Sequence, residues 1–521
     1  MKIFLYDTTL RDGTQGEGAS LSLDDKLKMV SILDDFGIDY IEGGWPGSNP
    51  KDEEFFIQVK KEKLKNSKIC SFGSTNRAGI KVEKDIQVNK LLKAETEVVT
   101  IYGKTWSLHV SDVIKTTKDE NLRMIEDTIK FLKKEGREVI FDSEHFFDGY
   151  KNDRDYAVKC IEVANNSGAD FIVLCDTNGG SLPFEIYEIT NDVVKIFKKT
   201  KFGIHTHNDS GTAVANTLEA VRSGVVQIQG TINGVGERCG NADLISIIPA
   251  IVLKMGYETR TRVDLKKLRS VARSFWDILN INPPKNQPYV GISAFAHKGG
   301  VHIDAMTKNP KTYEHLNPER VGNSRRILIS ELSGKSSMLE KAKELDIKTD
   351  DKTTKKWLEE VKKLEAEGYD FENADASLML LLKEIEGKRP KFFDLRGFRV
   401  HTEKHEGQED TFCEATIKLV VDGKEEHTAA EGNGPVNALD NALRKALEKF
   451  YPELKEVELK DFKVRVVSTE GTGSRVRVFI ESGDHKRIWG TVGVSENIIE
   501  ASWIALVDGI EYKLMTERQQ F

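Results

Sequence analysis

Cysteine is scarce in this 521-residue chain, and none of the five stands in a C-x-x-C pair: Cys70, Cys160, Cys175, Cys239 and Cys413 lie far apart. That spacing argues against a disulfide framework and a thiolate metal site, and fits a reducing compartment. Long blocks of one charge are lacking too. With 77 lysines and arginines against 84 acids, a net charge of -7 and no basic run, nothing points to nucleic acid or an anionic membrane as partner. The most apolar stretch, 245–255, is broken by Pro249 and Lys254 and falls far short of a bilayer span. The opening Lys2-Ile3-Phe4-Leu5-Tyr6-Asp7 has no signal-peptide h-region and reads as a strand, so a cytoplasmic protein acting on small molecules is expected.

What is present is periodic. Apolar runs recur near 3–7, 38–42, 69–73, 97–102, 138–142, 170–175, 202–206 and 225–231, separated by segments of helical spacing. Strands apolar on both faces alternating with helices predict an α/β fold, a (β/α)8 TIM barrel over 1–280. Its first helix has Ser22 as cap, a stripe of Leu23, Leu27, Val30 and Leu33, and Gly37 as stop. Asn282-Pro283-Pro284 marks a boundary to a Gly-rich linker subdomain over 281–330 that carries His302, and a helical subdomain is expected over 331–388. The remainder, 389–521, is expected to be an α+β domain with an internal repeat in which two strand runs lead through a Gly-rich turn into a helix: 415–421, then the turn Gly432-Asn433-Gly434-Pro435 and a helix over 436–447, parallels 476–481, then the turn 490–495 and a helix over 497–507.

In a barrel of this kind the site lies at the carboxyl ends of the strands. His205-Thr206-His207 ends strand seven, and alternation along a strand sends both imidazoles to one side. Asp12, beside Arg11 after strand one, and Asn241, after strand eight, can complete a site for a divalent cation with open positions. Arg11 can stabilise a forming oxyanion. Glu144, after strand five, is a candidate base or orienting group, and Thr177 and Asn178, after strand six, can bind a carboxylate. Each residue alone has an ordinary structural alternative: a turn cap for Asp12, an ion pair for Arg11, surface placement for His302, a packing aromatic for Tyr313. The Gly-rich run 234–240 lacks the Lys and Ser/Thr of a phosphate loop, and Gly432-Asn433-Gly434 offers helix N-terminal amides to a carboxylate or is merely a tight turn.

Three motifs in order, Asp7-Thr8-Thr9-Leu10-Arg11-Asp12-Gly13, His205-Thr206-His207-Asn208-Asp209 and Gly236-Glu237-Arg238-Cys239-Gly240-Asn241, resemble the isopropylmalate/homocitrate/citramalate synthase family along the whole chain. Gly43-Gly44-Trp45-Pro46-Gly47-Ser48 and Phe141-Asp142-Ser143-Glu144-His145-Phe146 resemble its citramalate synthase branch. The resemblance implies a transferase that condenses acetyl-CoA with pyruvate to (R)-citramalate, a first step towards isoleucine. It implies Asp12, His205, His207 and Asn241 as ligands of a divalent metal, whether Zn, Mn, Co or Mg, and Arg11 and Glu144 as catalytic residues. It further implies His302 and Tyr313 as catalytic residues working in a homodimer, Thr177 and Asn178 on the substrate carboxylate, and Gly432, Asn433 and Gly434 at an effector site for isoleucine. The alternatives are a sibling synthase taking the keto acid of the isopropylmalate or homocitrate branch, with Arg77 or Lys104 on a distal carboxylate, a hydroxymethylglutaryl-CoA-type lyase, and a non-catalytic amino-acid sensor.

Overall fold

The computed structural model describes residues 2–329, 334–345, 347, 349–404, 411–467 and 471–518. The chain forms two compact units. One runs to Phe295 and includes Asn317–Ser324; the other takes in Ala296–Leu316 and the described residues from Arg325 onward.

Eight parallel strands close on themselves in the first unit: β1 (Lys2–Asp7), β2 (Tyr40–Gly44), β3 (Lys68–Ser74), β4 (Val98–Lys104), β5 (Glu138–Glu144), β6 (Phe171–Asp176), β7 (Phe202–Thr206) and β8 (Gln227–Gly230). Each pairs with its neighbour, β8 pairs with β1 and β1 with β2, so the sheet has no open edge inside the barrel. The two-residue β9 (Glu258–Thr259) adds to the start of β1. Strand interiors are buried almost throughout, as a parallel sheet covered by helices requires.

Three local expectations need correction. Strand two begins at Tyr40 rather than 38, because Gly37 at φ 103 ends the preceding helix and Asp39 leaves the strand to accept from the backbone N–H of Leu5 and of Thr261. Strands four and five run two residues further than expected, making Lys104 and Glu144 their last members rather than loop residues. On the first helix, Leu23–Phe36, the fully buried stripe is Lys26, Met29, Val30, Leu33 and Phe36, with Leu23 and Leu27 only half-buried. Lys26 is accommodated there because its ammonium donates to Asp52 at 2.6 Å and to the Gly43 carbonyl at 3.0 Å, satisfying a charge that burial would otherwise penalise.

In the second unit the short strands β10 (Ala296–His297) and β11 (Arg326–Ile327) pair in parallel. The helices Gly300–Lys308, Lys335–Glu344, Asp351–Ala366 and Asp375–Ile385 surround a core of Ile303, Met306, Met338, Trp357, Val361, Leu378 and Leu382. The expected division at 330/331 lies outside the described residues. Beyond it come two copies of one motif: β12 (Asp394–Glu403), β13 (Phe412–Val421), β14 (Lys424–Gly432) and the helix Pro435–Leu447, then β15 (Glu458–Val466), β16 (Val476–Gly483), β17 (Ile488–Ser495) and the helix Ile498–Arg518. Each three-stranded sheet is antiparallel with its strands in chain order, so every copy has one strand more than the two expected; 490–495, expected as a turn, is part of β17 paired with β16, and the last helix reaches past 507. The strands overlooked, β12 and β15, are edges in which a bulge breaks the period, setting Leu395 out of step with Phe398 and Val400, and Leu459 out of step with Phe462, Val464 and Val466.

Candidate active site

At the carboxyl ends of the barrel strands a cavity of about 220 Å³ is lined by Arg11, Asp12, Trp45, Phe72, Tyr102, Asp142, Glu144, Thr177, His205, His207 and Arg238, among others. The turn after β1 puts Asp12 in it, β7 delivers His205, and the position just past β7, bridged to Asn241, delivers His207. His205 Nε2 is 3.3 Å and His207 Nε2 3.9 Å from Asp12 Oδ2, and the two Nε2 atoms are 3.2 Å apart. These three buried side chains form the one cluster of metal-ligating groups among the described residues, each offering one atom within 4.8 Å of the others.

The donor set fits a divalent cation. Two imidazole nitrogens turned towards each other and a carboxylate have no favourable arrangement unless a proton or a cation lies among them. Burial alone would raise the Asp12 carboxyl, but the Arg11 charge and the hydrogen bond from His205 outweigh it and hold it well below the usual carboxylate range. Burial would lower His205, yet Asp12 pushes it up; burial and the charge on His205 bring His207 down to about 4, leaving it neutral at physiological pH. Asn241 bridges His207 through its backbone, and both polar atoms of its buried side chain lack a hydrogen-bond partner.

Arg11 lies against three groups. Its Nε donates to Glu42 Oε1 at 2.5 Å, one terminal nitrogen is 3.2 Å from Asp12 Oδ2, and the guanidinium stacks 3.8 Å above the Phe72 ring. Glu42, fully buried on β2, also accepts from Tyr6 Oη at 2.6 Å. Sequence reading missed Glu42; the signal was an acid inside the apolar run of β2. Burial and the charge of Glu42 push Asp142 up to about 7.

Glu144 forms an ion pair with Lys104. Thr177 Oγ1 accepts from the His145 backbone N–H at 2.9 Å, and the Thr177 carbonyl accepts from Arg238, which also grips both oxygens of Asp209. Arg238 thereby ties together the loops after β6, β7 and β8. Trp45, Phe72 and Tyr102 pack together, with ring centroids 5.5 to 5.9 Å apart, as an aromatic wall.

Other candidates lie elsewhere. Asn178 is exposed, donates to Asp148 at 3.1 Å and does not line the cavity. His302, on the helix Gly300–Lys308, and Tyr313 belong to the second unit, where both are exposed and their rings stack at 4.2 Å. Gly432 approaches the helix after it so closely that a Cβ would come 2.3 Å from the Ala438 nitrogen, and the Asn433 N–H already donates to Asn437 Oδ1 at 3.0 Å. Close packing thus accounts for Gly432 and an internal bond for the Asn433 amide; only Gly434 keeps its expected place as helix N-cap without such a contact.

Residues 2–274 match the HMGL-like family, residues 289–369 the homocitrate synthase post-HMGL domain-like family, and residues 372–514 the LeuA allosteric (dimerisation) domain. The chain is 56% identical to an (R)-citramalate synthase of Aquifex aeolicus, covering 100% of this chain and 99% of the relative. It is 56% identical to that of Geobacter sulfurreducens, with 98% and 97% covered. Against a 2-isopropylmalate synthase of Methanocaldococcus jannaschii the identity is 30%, over 100% of this chain and 96% of the relative.

Proposed function

The chain belongs to the (R)-citramalate synthases within the HMGL-like family, and from that premise we propose that it joins acetyl-CoA to pyruvate, with water, to give (R)-citramalate and CoA. The observation that supports this most directly is the small cavity holding Arg11, Asp12, His205 and His207 behind an aromatic wall.

When bound by Asp12, His205 and His207, with the Asn241 side chain as a further donor, a divalent ion supplies Lewis-acid polarisation of the keto group. Thr177 grips the carboxylate of the keto acid: its hydroxyl oxygen is already engaged by the His145 amide, which leaves the hydroxyl proton to donate outward. Arg11, held at fixed aim by Glu42 and Phe72, faces the keto oxygen and donates to it as it becomes an alkoxide. Glu144 at the end of β5 and His302 are the pair that takes a proton from the acetyl methyl; the resulting enolate attacks the keto carbon, and water then hydrolyses the thioester. By family resemblance His302, with Tyr313 beside it, acts in the barrel of a second copy, in keeping with the match to a dimerisation domain. Isoleucine is the feedback effector we assign to that domain, and the cytoplasm the compartment; among the described residues no helix is long and apolar enough to cross a membrane.

The cavity favours pyruvate over longer keto acids. Trp45, Phe72 and Tyr102 wall it with aromatic rings, Lys104 and Arg77 are not in the lining, and the two cations that are, Arg11 and Arg238, are already paired with Glu42 and Asp209, which leaves none for a distal carboxylate. Thiol release from acetyl-CoA over a panel of pyruvate, 2-oxobutyrate, 2-oxoisovalerate and 2-oxoglutarate tests this. Pyruvate is expected to have the highest kcat/KM; a preference for 2-oxoisovalerate or 2-oxoglutarate refutes the assignment.

A further inference from the structure

Behind the metal-ligating side chains the barrel interior holds a short polar chain crossing three strands. His205 Nδ1 donates to Gln229 Oε1 at 2.9 Å, and Gln229 Nε2 donates to Asp142 Oδ1 at 3.0 Å. His205 stands on β7, Gln229 on β8 and Asp142 on β5. Gln229 is fully buried and the other two nearly so, so bulk water does not compete for these bonds. His207 has no counterpart: its Nδ1 is buried without a hydrogen-bond partner.

We propose that Gln229 is a positioning residue for the metal centre. It holds His205 in the tautomer that carries its proton on Nδ1 and turns the bare Nε2 towards Asp12 and His207, and Asp142 fixes which end of the amide meets the imidazole. The inference rests on the reading of Asp12, His205 and His207 as ligands and deepens it.

The argument is one of donors and acceptors. Were the Gln229 amide turned end for end, its NH2 would face His205, which would have to accept at Nδ1 and carry its proton on Nε2, where a ligand needs a lone pair. The reversed amide would also set its oxygen against Asp142 whenever that carboxyl is ionised, and in that state the two hydrogen bonds select a single orientation together. The group behind a ligating imidazole is commonly a carboxylate or a backbone carbonyl, which raises ligand basicity. A neutral amide gives the same aim without a full negative charge on the ring. Affinity for the ion is then lower than with a carboxylate, and its pull on a bound oxygen is greater.

The test uses the full-length protein, with Mn2+ or Zn2+ affinity measured by chelator competition, kcat with pyruvate, and the melting temperature of the metal-free form. Gln229→Leu removes the acceptor and is expected to weaken metal binding by about 10- to 100-fold. Gln229→Glu, made together with Asp142→Asn so that the new carboxylate meets an amide donor rather than a like charge, keeps an acceptor facing His205 and is expected to bind metal at least as tightly as the parent, with kcat lower by about tenfold. A merely structural role would lower the melting temperature of both variants and leave their metal affinities alike. Should Gln229→Leu fail to fold, the isosteric Asp142→Asn, which no longer fixes the amide orientation, serves instead and is expected to weaken metal binding without loss of fold. Parental affinity in Gln229→Leu or in Asp142→Asn alone, or a double variant Gln229→Glu with Asp142→Asn as weak as Gln229→Leu, overturns the proposal. If the parent protein binds no cation that Asp12→Ala releases, the ligand reading itself fails, which is a distinct result.

Discussion

Arg11 shows how much one side chain depends on its neighbours. Its guanidinium, beside the proposed metal ligand Asp12, is held there by Glu42 and Phe72, so its direction is set before any substrate arrives. Replacing Arg11 with Met is expected to lower kcat by about 10²- to 10³-fold, the usual effect of losing one oxyanion donor, with a much smaller change in KM for pyruvate; steady-state kinetics checks the split. Cys239 is the opposite case. It is exposed, lies next to the Gly-rich turn and does not line the cavity, so Cys239→Ala is expected to retain parental kcat, whereas a lyase using that thiol would be inactivated. The Arg-Asp pair and the H-x-H spacing were legible in the sequence because each is a local pattern. Glu42 and Gln229 were not, and Lys104 was read as a cation for a distal carboxylate rather than as the partner of Glu144, since these meanings arise only when strands distant in the chain are laid side by side in the barrel.

Among the elements, the strands of the barrel were readable from their apolar runs and the C-terminal repeat only in part. β13 and β16 alternate without a break and were found; in β12 and β15 a bulge shifts the apolar residues by one position, so neither shows an unbroken period of two. The second copy of the repeat also contains a buried ion pair, Lys513 with Asp484 at 2.7 Å, each side chain 1% exposed. Burial alone would raise Asp484, but Lys513 and the backbone amides of Lys486 and Arg487 bring it down to about 2. Its folded value lies below its unfolded one, so the stability it contributes is present above pH 4 or so and is lost as pH falls through about 2. Lys513, burial notwithstanding, is held above its ordinary range by Asp484, and its contribution is lost only on the alkaline side. Asp484→Asn leaves the ammonium with only the less buried Glu517 at 3.1 Å and Glu456 at 3.7 Å, and is expected to cost about 2 kcal/mol at pH 7, with a smaller deficit at pH 3, by denaturant unfolding.

For the molecule as a whole, the family resemblance assigns a base from the second unit to a site in the first, and a second copy to supply it. Mixed dimers test that assignment. Arg11→Met and His302→Ala are each expected to be nearly inactive alone, and co-expressed they are expected to regain roughly a quarter of parental activity, because half of the dimers are mixed and each of those has one intact site. No recovery on mixing would place His302 in its own barrel, and a His302→Ala variant active by itself would place it outside the chemistry. That division of labour could be expected from the sequence only through resemblance, because neither the exposure of His302 nor its stacking on Tyr313 follows from the Gly-rich segment that contains it.

The central claim is that Asp12, His205 and His207 hold a cation without which no carbon-carbon bond forms between the acetyl methyl and the keto carbon. The direct measurement is product analysis by mass spectrometry with methyl-labelled acetyl-CoA and pyruvate, using protein stripped of metal, the same protein after Mn2+ or Zn2+ is restored, and a restored His205→Ala variant. Labelled citramalate is expected from the restored parent alone. Citramalate at equal rates from the stripped protein or the His205→Ala variant, or none from the restored parent, contradicts the account.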